Sequence, residues 1–99
     1  MVTKGLIVRL EAKPGMEAEL ASFLRDALPL VQAEGETIVW FALRAASSSF
    51  ASVDVFPDDA GRQAHIDGAV ARALLGRADE LLAAPPQIEA TDVLAAKLP

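Results

Sequence analysis

Cysteine is absent from this chain of 99 residues, which removes disulfide cross-links, a thiolate nucleophile and any zinc site of the cysteine type. The fold must then be held by its core or by a partner. Nor does any run approach the ~20 consecutive apolar residues that a membrane-spanning helix needs. The opening Met1-Val2-Thr3-Lys4-Gly5 lacks the basic and then apolar order of a signal peptide, so the expectation is a soluble, cytoplasmic protein. Positive charge is in short supply, with 9 Lys and Arg against 14 Asp and Glu and a formal net charge of −5. That balance opposes the basic footprint that nucleic acid requires. The arginines are scattered along the chain, so no basic amphipathic stretch favours an anionic membrane surface.

Markers of several enzyme classes are missing as well. A single histidine among dispersed acids gives no metal-ligand spacing, and none is expected to be bound. The cluster Ser47-Ser48-Ser49 has no G-x-S-x-G context, and no Walker or Rossmann glycine pattern occurs.

What is present is apolar. Hydrophobic residues make up 53% of the chain and charged residues 23%, a composition that folds, and the length fits one domain spanning residues 1–99. For so small a domain this apolar share implies that another subunit covers part of the surface.

The β-favouring residues Ile7 and Val8 place a first strand over residues 5–12, stopped by Lys13-Pro14-Gly15. Met16, Leu20, Phe23, Leu24, Ala27 and Val31 then recur at helical spacing. Pro29 disfavours helical geometry at Leu28, which kinks or separates the last turn. Residues 37–44 and 50–56 read as a hairpin of two strands. Pro57-Asp58-Asp59 opens a second helical region, which Gly68 and Gly76 are expected to segment. After Pro85-Pro86, residues 87–97 fit a last strand. The order βαββαβ is that of an α+β, ferredoxin-like domain with an antiparallel sheet and both helical regions on one face.

Strand parity bears on the other face. Val39, Phe41, Leu43, Val53 and Val55 form one apolar set, while Ile38, Trp40, Ala42, Phe50 and Phe56 form another that includes Arg44, Ser52 and Asp54. A one-sided antiparallel sheet alternates more cleanly, so a homodimer with its sheets face to face is the simplest account.

His65 is the one side chain with an unperturbed pKa near neutrality, and thus the candidate to take a proton from a phenol, enol or activated C–H group. A packing role competes with that reading. Trp40, Phe50 and Phe56 share a parity and would make a flat wall for a planar ligand, or simply fill the core. Asp54 lies among them and needs a donor, which Arg9 or Arg44 would supply as a structural ion pair.

The Lys13-Pro14-Gly15 turn after the first strand, Trp40 in the second, Phe50-x-x-x-Asp54-x-Phe56 in the third and Ala64-His65-Ile66 in the following helix occur in this order. In these features the chain resembles the antibiotic biosynthesis monooxygenase family of small dimeric α+β barrels. Its Phe-x-x-x-Glu-x-Trp strand and Ala-His-Leu helix segment are the matching motifs. Asp54 stands for the family's Glu and Phe56 for its Trp, and a second histidine near Gly68 has no counterpart. The chain has no asparagine, whereas the haem-degrading branch carries one on its first strand, so haem degradation is not expected. The resemblance implies oxygenation of a phenol, anthrone or quinol without flavin, metal or haem: the substrate is deprotonated and its anion reduces oxygen. In that reading His65 is the base or an orienting donor. Trp40, Phe50, Phe56 and Asp54 surround a small aromatic substrate, and Arg9 or Arg44 offsets its negative charge. A non-catalytic, stress-associated or ligand-binding dimer and an oxygen-independent isomerase share the same fold.

Overall fold

Eight elements carry the chain in the computed structural model, which describes residues 1–99: β1 (Lys4–Glu11), α1 (Glu17–Asp26), α2 (Leu28–Gln32), β2 (Val39–Arg44), β3 (Ser49–Phe56), α3 (Asp59–Ile66), α4 (Ala69–Leu81) and β4 (Gln87–Asp92). β1 is central, antiparallel to β3 on one side and β4 on the other, and β2 completes the order β2-β3-β1-β4. This is the ferredoxin-like arrangement that the βαββαβ order implies.

Register decides the faces. Leu6 lies opposite Asp54 and Ala90, Val8 opposite Ser52 and Ile88, and Trp40 opposite Asp54. All of these therefore face the helices. Along β3 the alternation is complete, with Phe50, Ser52, Asp54 and Phe56 buried and the residues between them half-buried. The core joins Leu6, Leu10, Phe50 and Phe56 of the sheet to Leu20 and Leu24 of α1 and Leu81 of α4. Leu20, Phe56 and Leu81 are fully buried.

Local chemistry sets the boundaries. Gly15 takes a φ of 88° in the turn that ends the first strand, a conformation open to glycine at little cost. Pro29 sits in the first turn of α2, where its missing N–H is not needed. The Asp58 carboxylate accepts from the Gly61 N–H at 2.9 Å and caps α3. Gly68 separates α3 from α4 as expected, but Gly76 does not break α4, which continues to Leu81. A lone helical glycine costs only about 1 kcal/mol, too little to end a helix whose flanking residues are packed. The last strand also stops at Asp92 rather than Lys97. Asp92 opposes Lys4, the first residue of β1, and after the Val93 N–H to Thr3 bond the neighbouring strand is exhausted.

The helix-free face is apolar across β1, β2 and β3. Ile7, Val53 and Val55 are half-buried there, and Phe41 and Leu43 remain 57% and 47% exposed.

Candidate functional site

The α3 helix delivers His65 to the sheet at the level of Asp54 and Phe56. Only 6% of the histidine is exposed, and its ring centroid lies 5.5 Å from that of Phe56. Nδ1 is 2.6 Å from Glu34 Oε1, and Nε2 is 3.0 Å from Asp54 Oδ2. The imidazole is thus placed between two carboxylates from different parts of the chain.

The two contacts differ in kind. Glu34 Oε1 faces Nδ1 in hydrogen-bond geometry and also accepts from the Thr37 hydroxyl at 2.8 Å. Asp54 is wholly buried, and although Nε2 is close, neither Asp54 oxygen has an aligned hydrogen-bond donor. Nε2 is therefore near a negative group without being committed to it by a directed bond.

Burial pushes the Asp54 carboxyl above its ordinary pKa more strongly than His65 and Ser52 lower it, and the charge of Glu34 adds to the rise. For His65 burial is the largest influence and works downward. The contacts with Asp54 and Glu34 together outweigh it, so the imidazole lies above its ordinary value. Both groups therefore hold a proton more tightly than their free forms, Asp54 because it is buried and His65 because two carboxylates face it.

His65 also lines a cavity of about 110 Å³ between the sheet and the helices. Leu6 and Val8 form its floor, with Phe23 of α1 and Val70 and Leu74 of α4 opposite. Trp40 and Ser52 complete the wall near the histidine. A polar group on an otherwise apolar cavity is the usual form of a small-molecule site.

The sequence-derived residues separate into two groups. His65, Asp54 and Trp40 come together around or behind this cavity. Phe56 packs on His65, and Phe50 belongs to the core beneath Arg44; neither lines the cavity, so the three aromatics do not form one wall. Arg9 and Arg44 do not supply the donor expected for Asp54. Arg9 opposes Ala51 and Gln87 on the helix-free face and lies 3.6 Å from Glu89. Arg44 shares the face of Asp54 but sits at the far end of β2, 4.6 Å over the Phe50 ring. The partner of Asp54 is His65. Glu34 escaped the sequence reading because it lies in the turn between α2 and β2, where no periodicity indicates direction. No set of three or more His, Asp or Glu side chains is arranged to hold a metal ion.

No protein-family model matches the chain, and no curated protein matches it. Solved structures do. The NE2512 protein of Nitrosomonas europaea, of unknown function, is 56% identical with a TM-score of 0.98, over 100% of this chain and 96% of that one. PA3566 from Pseudomonas aeruginosa is 23% identical with a TM-score of 0.81, over 96% and 97% of the two chains. A proposed antibiotic biosynthesis monooxygenase from Caulobacter crescentus is 18% identical with a TM-score of 0.81, over 95% and 92%.

Proposed function

Because this chain belongs to one family with the NE2512 protein and has the fold of the antibiotic biosynthesis monooxygenases, we propose that it oxidises a small phenol or quinol with molecular oxygen, using His65 as the base. The observation that carries this reading is buried His65 on the wall of an apolar cavity, with half-buried Glu34 at one ring nitrogen and buried Asp54 at the other. With Nδ1–H held by Glu34, a neutral imidazole presents its Nε2 lone pair. Nε2 takes the substrate's hydroxyl proton, and the imidazolium formed is stabilised by Asp54 beside it. The resulting anion is the electron donor to oxygen. For a hydroquinone the balance closes without an added reductant: one oxygen atom enters the ring, the other leaves as water, and the hydroxyquinone product has lost four electrons. No cofactor is required by that balance.

The cavity limits the substrate. At about 110 Å³ it is smaller than the roughly 150 Å³ cavity that takes up benzene in an engineered protein. A single ring is the largest group it accepts without opening, and an anthrone would have to displace α4 or α1 side chains.

We also propose that a second copy of the chain covers the helix-free face, forming the face-to-face dimer that its exposed Phe41 and Leu43 favour. Neither proposal needs a nucleic acid or a membrane, and no helix is long and apolar enough to cross one.

Oxygen uptake by metal-stripped protein with monocyclic hydroquinones and phenols, corrected for autoxidation, tests the reaction. Protein-dependent uptake reduced about 100-fold or more in His65→Ala is the expected result. Substrate proton exchange without oxygen uptake would favour isomerisation on the same cluster, and ligand binding without either would leave a binding protein.

A further inference from the structure

A second depression, of about 210 Å³, lies between the end of β2 and α1. Leu24, Ala42 and Phe50 line it together with two cationic side chains, Arg25 and Arg44. Leu24 also lines the cavity that holds His65, and Trp40, Ala42 and Arg44 follow one another on the same face of β2. Groove and cavity are neighbours that share Leu24 in their walls.

The two arginines have no internal counter-ion. Ion pairs join Lys4 to Asp92, Arg9 to Glu89, Arg62 to Asp59, Arg77 to Glu80 and His65 to its two carboxylates, and none includes Arg25 or Arg44. Carboxylates are not scarce in a chain with 14 of them against 9 Lys and Arg. Glu11, at the same end of the sheet, is on the opposite face and accepts from Ser48 and Ser49. Stacking on Phe50 orients the Arg44 guanidinium while leaving N–H donors at its edge. Two cations without internal partners, one of them held in place on an aromatic ring, complement an external anion.

We propose that this groove takes the carboxylate of a bipolar ligand whose single ring occupies the cavity beside His65, an inference that rests on the ring-pocket reading above. Trp40 and Arg44 are four residues apart, roughly 13 Å along an extended strand, and the arginine side chain reaches back over part of that distance. The matching ligand is a monocyclic arene or phenol on a flexible arm of three or four methylenes ending in a carboxylate.

The test titrates 4-phenylbutyrate and its neutral counterpart 4-phenylbutanol into the full chain at low salt. Binding is followed by calorimetry and by the emission of Trp40, the sole tryptophan. The acid is expected to bind about tenfold more tightly than the alcohol, in line with charge-assisted hydrogen bonds. Arg25→Gln and Arg44→Gln, both at exposed positions, each remove several-fold of that advantage and leave the alcohol unchanged; added salt narrows the gap. Equal binding of acid and alcohol, or an advantage that survives in both variants, overturns the proposal. If the alcohol alone perturbs Trp40, the arginine groove is refuted and the ring pocket stands. If the acid binds through the arginines with Trp40 unperturbed, the ring pocket and the bipolar ligand are both refuted. Binding of neither probe refutes both.

Discussion

Glu34 determines which nitrogen of His65 carries the proton when the imidazole is neutral, because a carboxylate 2.6 Å from Nδ1 requires a donor there. Glu34→Gln keeps an acceptor oxygen at that position while removing the charge. The raised proton affinity of His65 then falls, and the pH at which kcat/KM climbs toward its plateau moves downward; a profile identical to wild type would show that Glu34 has no influence on the base. In the unmodified protein the neutral base grows as pH rises through a value above the ordinary 6.5, so activity is expected to increase with pH at a point higher than for a free imidazole. At this scale part was legible: an acid among apolar strand residues needs a partner, and Asp54 has one in His65. Their pairing was not, because it depends on how α3 crosses the sheet. Periodicity gives the face of a residue and not its neighbour across layers, which is also why arginines were assigned to Asp54.

Several helix boundaries have a local chemical cause, and those causes were mostly readable. Pro29, Asp58 and Gly68 act where the sequence places them, whereas Gly76 lies within α4 because packing on both sides overrides a weak propensity. An added Cβ at Gly76 meets nothing within 4 Å. Gly76→Ala should therefore raise stability by about 0.4–1 kcal/mol in denaturant unfolding, and a loss would mean that the helix is strained at that position. The Asp58 cap is of another kind, since α3 positions His65. Asp58→Ala is expected to cost about 1 kcal/mol and to weaken activity through a less ordered helix. Unchanged unfolding would contradict the capping role.

Over the whole molecule, the buried cluster makes stability depend on pH in one direction. Both Asp54 and His65 bind protons more tightly folded than their ordinary values of 3.8 and 6.5 imply. Their contribution is full below those values and is lost as pH rises through the higher folded ones. Melting temperature should accordingly decline as pH rises above 3.8 and again above 6.5, and His65→Gln should flatten the part of the decline above pH 6.5. An equal slope in wild type and variant would remove the cluster from the linkage. The proposed dimer rests on the helix-free face. Both strand faces read as apolar in the sequence, and the register leaves Phe41 and Leu43 exposed on one of them. Phe41→Asp would place two carboxylates at a twofold contact and is predicted to yield a monomer by light scattering at micromolar concentration. A wild-type monomer under those conditions would contradict the paired sheets.

The central claim is that His65 is a base held by Glu34 through Nδ1–H and raised by two carboxylates. As the only histidine, its ring nitrogens give unambiguous NMR signals, and a pH titration of them reads tautomer and proton affinity together. The expected midpoint lies above 6.5, with the proton on Nδ1 in the neutral form. A midpoint at or below that value, or a neutral imidazole protonated at Nε2, would contradict it.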